Sequence, residues 1–269
     1  ALATGAVSFS DIDLNDRHSV TATGSALYGA FSLGALTDTT GNGTGGSQPW
    51  SYTLDSSNPA VQALGLGQTL IESFSINLSD SNGSTTSQTV TVTITGANDP
   101  IVVTSSAQLG AVTEDSTALA SGAVSFSDID LNDRHSVTAT GSARYGSFSL
   151  GTLTDTTGNG TGGSQPWSYT LDSSNPAVQA LALGQTLIES FSINLSDANG
   201  STTSQTVTVT ITGANDPIVV TSSAQLGAVT EDSTALATGA VSFSDIDLND
   251  QHSVTATGSR SEEHTSELQ

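Results

Sequence analysis

The chain has 269 residues and a net charge of −22, from 26 acidic residues against 4 basic ones, while charged residues make up only 11% of the total. So acidic a chain excludes phosphate-backbone binding, which needs Lys and Arg, and no apolar run nears the ~20 residues of a membrane-spanning helix. The absence of Cys excludes a disulfide framework, a thiolate metal site and a thiol nucleophile.

In chain order, the sequence predicts short strands separated by turns. Val7 and Phe9 mark the first strand. Residues 18–23 alternate weakly through Val20 and Ala22, and Phe31 and Leu33 mark a third strand. The Gly-rich stretch 41–46 is a loop, after which residues 50–54 read WSYTL, with Trp50, Tyr52 and Leu54 on one face. Asn58-Pro59 predicts a capped helical turn, since Asn accepts from the amides beyond it and Pro suits the first turn. Residues 73–79 and 88–95 read SFSINLS and QTVTVTIT, with Asp80-Ser81-Asn82-Gly83 as a tight turn between them. Alternation with period two is the mark of half-buried strands. The fold class is therefore all-β, a β-sandwich whose two inner faces carry Phe9, Trp50, Tyr52, Phe74, Ile76, Val90, Val92 and Ile94.

The pattern repeats. SDIDLND begins at Ser10, Ser127 and Ser244, a period of 117 residues, and residues 1–117 differ from 118–234 only at Thr4/Ser121, Leu27/Arg144, Ala30/Ser147, Ala35/Thr152, Gly65/Ala182 and Ser81/Ala198. So long a period suits a whole domain, not a solenoid unit of 20–50 residues. The expected organisation is a first copy over 1–100 lacking its leading strand, a complete copy over 101–217 and a partial third over 218–259. The repeat is lost abruptly at Arg260, and residues 260–269, RSEEHTSELQ, read as the in-frame translation of a sequencing-library adapter. With no Met at its start, the sequence reads as a piece of a longer chain.

Three segments carry a family resemblance: VTEDSTALASGAVSFSDIDLNDRHSV at 112–137, WSYTLDSSNPAVQALALGQTL at 167–187, and FSINLSDANGSTTSQTVTVTITGANDP ending at Pro217. Together with Tyr145-Gly146 they resemble the VCBS repeat, an Ig-like or cadherin-like β-sandwich module of large bacterial surface proteins, over essentially all of 1–259. The resemblance implies tandem domains of a secreted or surface-anchored adhesin, exported unfolded by a type I system and working in cell adhesion or biofilm formation at the bacterial cell surface. It implies neighbouring repeats of the same chain as partners, with surface or matrix glycans or proteins as distal ligands. The calcium-binding RTX nonapeptide repeat that accompanies such modules is absent from this sequence.

The acids cluster at element ends. Each complete copy carries Glu-Asp (Glu114, Asp115), Asp-x-Asp-x-x-Asp (Asp128, Asp130, Asp133) and Asn-Asp-Pro (Asn215, Asp216, Pro217). Two like charges ~4 Å apart cost about 1 kcal/mol in water and ~4 at an effective dielectric of 20, so converging carboxylates invite a cation. All the donors are hard oxygens, which suit calcium better than zinc or copper. The order of these motifs also resembles cadherin junctions, where linker and domain acids share calcium. Carried over, that resemblance implies that Asn98 and Asp99 meet Glu114, Asp128 and Asp130, and that Asn215 and Asp216 meet Glu231, Asp245 and Asp247. The alternative is solvated turn acids, since Asp and Asn favour turns.

Other motifs carry less. Asp11-Ile12-Asp13-Leu14-Asn15 begins like an EF-hand loop, but Asp16 occupies its Gly position and Ala22 its bidentate Glu position. Gly41-Asn42-Gly43-Thr44-Gly45-Gly46 matches G-x-G-x-x-G but precedes a strand, not a helix. His18, His135 and His252 share one repeat position and read as strand histidines near the surface. Trp50 and Trp167 read as core, with sugar stacking as the alternative. No catalytic constellation is expected. Two rival readings stay open: accessory repeats of a secreted polysaccharide-acting enzyme, and a carbohydrate-binding module.

Overall fold

The structure is a computed structural model, and it describes residues 1–233 and 236–258. The adapter-like segment 260–269 lies outside the described residues. In the first copy, β1 (Leu2–Phe9), β2 (His18–Thr23), β3 (Gly29–Leu33) and β4 (Gly46–Leu54) precede a single helical turn, α1 (Pro59–Gln62), followed by β5 (Thr69–Asp80) and β6 (Thr85–Thr95). Asn58 caps α1 by accepting from the Ala60 amide at 2.9 Å. One sheet has the order β1-β4-β3 and the other β2-β5-β6, and the pairs between these neighbours are antiparallel. The alternating apolar positions face each other: Tyr52, Phe74, Ile76, Leu78, Val90, Val92 and Ile94 form one core, with Trp50 half-buried at its margin.

The second copy repeats this plan and adds two strands. The elements are β7 (Val102–Val103), β8 (Gln108–Thr113), β9 (Leu119–Ser127), β10 (His135–Thr140), β11 (Gly146–Leu150), β12 (Gly163–Leu171), α2 (Pro176–Gln179), β13 (Thr186–Asp197) and β14 (Thr202–Thr212). The sheets have the orders β11-β12-β9-β7 and β10-β13-β14-β8. β8 pairs with β14 in parallel, from Val207↔Gln108 to Thr212↔Thr113. It closes the core over Trp167, which is 2% exposed and donates its indole N–H to Gln108 Oε1 at 2.9 Å. The indole lies across β9 so closely that a Cβ at Gly122 would stand 2.7 Å from its ring, so only glycine fits there. The third copy contributes β15 (Val219–Val220) and β16 (Phe243–Ser244), paired antiparallel.

The expected strands are present with longer bounds, and the β-sandwich reading of the fold class holds. Two of the three histidines depart from expectation, while His252 is exposed. His135 and His18 are buried, with side chains 0% and 6% exposed, because each bridges two aspartates across a loop. The EF-hand-like segment is a loop between β1 and β2 with no flanking helix, and the Gly-rich stretch is a turn leading into β4.

Candidate metal centre

The first junction is built where the chain leaves β6 and enters the second copy. The Asp99 amide donates to Asp130 Oδ2 at 2.7 Å, and Asn98 Nδ2 donates to Asp197 Oδ2 at 3.1 Å. The Asp130 amide donates to Asp128 Oδ1 at 3.0 Å, the i to i+2 bond that gives an Asp-x-Asp loop its tight curl. Asp128, Asp133 and Asp197, all buried, each bring one carboxylate oxygen within 4.8 Å of the others. Asn199 Nδ2 donates to both oxygens of Asp133, at 2.8 and 2.9 Å, and the amides of Asn199, Gly200 and Ser201 converge on Asp197 Oδ1. His135 reaches Asp128 with Nε2 at 3.0 Å and Asp155 with Nδ1 at 2.6 Å. The Leu131 amide donates to the Ala63 carbonyl at 3.3 Å, so the loop after α1 also crosses the junction.

The second junction repeats the linker-to-loop bonds of the first, without a counterpart of the Asp197 group among the described residues. The Asp216 amide donates to Asp247 Oδ2 at 2.8 Å, the Asp247 amide to Asp245 Oδ1 at 3.0 Å, and the Leu248 amide to the Ala180 carbonyl at 3.4 Å. Asn215 Nδ2 donates to the Asp216 carbonyl at 2.8 Å.

The electrostatics are those of crowded anions. Burial, then repulsion from Asp99, Asp128 and Asp133, pushes Asp130 up to about 6 against the opposing hydrogen bond from the Asp99 amide. Burial raises Glu114, with Asp216, Asp115 and Asp247 adding repulsion. Burial likewise raises Asp216, with help from Asp115, Asp247 and Asp245. Two acids go the other way: burial raises Asp197, but the bonds from Asn98 and the turn amides outweigh that and hold it below the usual carboxylate range, and the His252 hydrogen bond, then the Asp247 amide, lower Asp245. Among the described residues, the buried side-chain oxygens without a hydrogen-bond partner are Asn98 Oδ1, Asp130 Oδ1, Asp216 Oδ2 and Asp247 Oδ1, and all four belong to these two junctions.

The expected ligand sets are therefore regrouped. Asn98, Asp99, Asp128 and Asp130 come together, as do Asn215, Asp216, Asp245 and Asp247, but Glu114 does not join Asp128. Because β8 is parallel to β14, its end lies beside Thr212, and the Glu114 amide donates to the Thr212 carbonyl at 3.0 Å. Its carboxylate accepts from Gln179 Nε2 at 2.7 Å and from the Ala214 amide at 3.3 Å. The nine residues of β9 then carry the chain about 30 Å back to Asp128. Glu114 thus faces Asp216 and Asp247 at the second junction, and Glu231 lies exposed in the third copy. Asp115 and Asp133, named in the acid clusters but left out of the expected ligand sets, stand beside them, and Asp197, which sequence reasoning did not single out, joins Asp128 and Asp133. The Asp-x-Asp-x-x-Asp spacing signals Asp133, while Asp197 is visible in sequence only as a turn residue.

Neither a family model nor a curated protein matches the sequence. Among solved structures, the chain is similar to protocadherin gamma B7 extracellular cadherin domains 1–4, at 16% identity over 91% of this chain and 55% of that one, with a TM-score of 0.39. It is similar to PcdhgB3 EC1–4 at 13% identity over 84% of this chain and 52% of that one, with a TM-score of 0.39. It is also similar to the sialic acid binding region of a Streptococcus sanguinis SK1 adhesin bound to 3'sLn, at 10% identity over 79% and 74% of the two chains, with a TM-score of 0.29. The chain spans about half the length of the two protocadherin structures. Its own strand order and register, not these superpositions, define the chain as a tandem of all-β sandwiches.

Proposed function

We propose that the chain is a run of calcium-stiffened extender repeats from an extracellular bacterial adhesin, holding a distal binding domain away from the cell surface. One observation carries this reading: the buried, unpartnered oxygens of the described residues gather at the junctions between copies. An unpaired buried polar atom costs ~1–3 kcal/mol, so four of them in two equivalent places call for a missing partner. The donor set fits calcium, which takes oxygen ligands, being carboxylate and amide oxygen throughout. At the first junction Asn98, Asp99, Asp128, Asp130, Asp133 and Asp197 would hold it. At the second these would be Glu114, Asp115, Asn215, Asp216, Asp245 and Asp247. A bound cation supplies the positive charge that these carboxylates lack, and the linker, with Pro100 or Pro217 limiting its direction, is then tied to the domain that follows.

Calorimetric and scattering titrations of the whole chain test the reading. Calcium should bind in the ~10⁻⁴–10⁻³ M range of extracellular modules, raise the melting temperature and lengthen the particle, with magnesium doing less. A titration with no heat, no stabilisation and no change of dimensions up to ~10 mM would leave only an acidic spacer.

A further inference from the structure

The turn between β13 and β14 puts an Asn-Gly pair beside the acids. Asn199 and Gly200 are both exposed, and Gly200 has a φ of 106°, a conformation that glycine adopts without strain. Asn199 Nδ2 donates to both oxygens of Asp133. The first copy builds the same contact from Asn82 Nδ2 to Asp16, at 2.8 Å to each oxygen. Asp133 belongs with Asp128 and Asp197, so a neutral, exposed amide borders a group of buried carboxylates.

We infer that Asn199 is a deamidation site, guarded by the first junction and able to change that junction's charge. With glycine next in the chain, no side chain shields the Asn199 amide from the following backbone nitrogen. That nitrogen, on giving up its proton to water, bonds to Asn199 Cγ. The Cγ–Nδ2 bond breaks, and ammonia leaves after taking a proton back from water. A second water opens the cyclic imide at either carbonyl, giving aspartate or, with the chain rerouted through Cβ, isoaspartate. Two bonds hold this reaction back in the folded chain. The Gly200 amide donates to Asp197 Oδ1 at 2.6 Å, which keeps the proton on the attacking nitrogen, and Asn199 Nδ2 is pinned on Asp133. Asp197 is in turn held by Asn98 Nδ2 at 3.1 Å, so the guard depends on the linker from the first copy. The product has an oxygen where the donor was. It loses both bonds to Asp133 and sets a further anion against Asp128, Asp133 and Asp197, which loosens the junction when no cation is bound. With calcium bound, the added carboxylate is a further hard-oxygen ligand. That last step rests on the calcium reading; the deamidation does not.

Peptide mapping by mass spectrometry, on the whole chain aged in mildly alkaline buffer with EDTA, is the test. Asn199 should convert to a mixture of aspartate and isoaspartate, at least about tenfold more slowly than in a free peptide of residues 195–204, because the turn must open first. Asp197→Ala, which frees the Gly200 nitrogen, should speed conversion at Asn199 several-fold. Asn159-Gly160, whose glycine is buried and donates its amide to the Thr156 carbonyl at 2.9 Å, is the internal reference and should keep its rate. Asn199→Asp, which makes one product directly, should lower the melting temperature in EDTA more than Asn199→Ala, which removes the bonds without adding charge. In calcium the same Asn199→Asp chain should bind the ion more tightly than the native one. A native chain that binds no calcium would remove that step alone and leave the deamidation standing. No conversion at Asn199 in either the native or the Asp197→Ala chain, conversion as fast as in the free peptide, or an Asn199→Asp chain as stable in EDTA as Asn199→Ala would overturn the inference.

Discussion

A single carboxylate can be worth opposite amounts in two solutions. Asp130 is held near 6 by burial and by its acidic neighbours, well above the ordinary value of 3.8. A raised carboxylate favours the folded state while protonated, so this contribution is full below pH ~3.8 and is lost as pH rises through about 6. Without calcium, then, the second copy should melt lower at pH 7.5 than at pH ~5, and Asp130→Asn should stabilise it. If calcium binds as proposed, the order reverses: Asp130→Asn keeps an oxygen but removes a ligand charge, weakening a site that with Kd near 100 μM at ~10 mM calcium would contribute about 2.7 kcal/mol. For a domain of this size that is roughly 10–20 °C of melting temperature. Melting curves of the two proteins in EDTA and in calcium check the reversal; parallel shifts would contradict it. Glu189 is a different kind of buried acid. It accepts from the Tyr169 hydroxyl at 2.5 Å and from the amides of Arg144 and Tyr145, so each of its oxygens is used. Glu189→Gln should cost ~1–3 kcal/mol whatever the calcium, because an NH₂ group then faces donors. Deprotection of the Arg144 and Tyr145 amides in hydrogen exchange would locate the loss.

At the scale of elements, β6 and β14 have the same sequence and different neighbours. Edge strands expose one row of backbone groups, so amides of β6 should exchange faster than those of β14, and the first copy should unfold before the second. Equal protection of the two strands would contradict the role given to β8. Most strands were legible in sequence because Phe74, Ile76 and Leu78, or Val90, Val92 and Ile94, alternate with Ser and Thr over a half-buried face. β8 alternates too, but nothing local distinguishes a parallel partner from an antiparallel one; that choice is made by β14, nearly a hundred residues later. The misplacement of Glu114 follows directly, since its address depends on the direction of β8. The burial of His135 was hidden for a related reason: its partners Asp128 and Asp155 lie on two different loops. The candidate ligands Asp128 and Asp130 were legible because their spacing is itself a loop geometry, whereas Asp197 joins them only through the fold.

At the scale of the molecule, charge is not spread but gathered. The strand faces are lined by Ser and Thr hydroxyls, some paired across strands, as Ser136 and Ser196 are at 2.9 Å, and the acids stand largely at the ends and loops of the sandwiches. In calcium-free solution the junctions repel within themselves, and low salt should loosen them; raising monovalent salt should recover part of the compactness, but not the specific stabilisation that the proposed calcium sites would give. Scattering in EDTA across salt concentrations, compared with calcium at fixed ionic strength, separates screening from binding. The parallel pairing of β8 with β14 has a mechanical consequence. Tension along the array enters the second copy through the two-residue β7, reaches the start of β8 once β7 parts from β9, and leaves at the end of β14. Because the two strands run the same way, that pull slides one past the other and loads the bonds from Gln108 to Thr113 together, in shear. An antiparallel pair loaded at its open end would instead unzip bond by bond. The repeat is thus wired so that its ladder resists as a unit when the chain is pulled along its length.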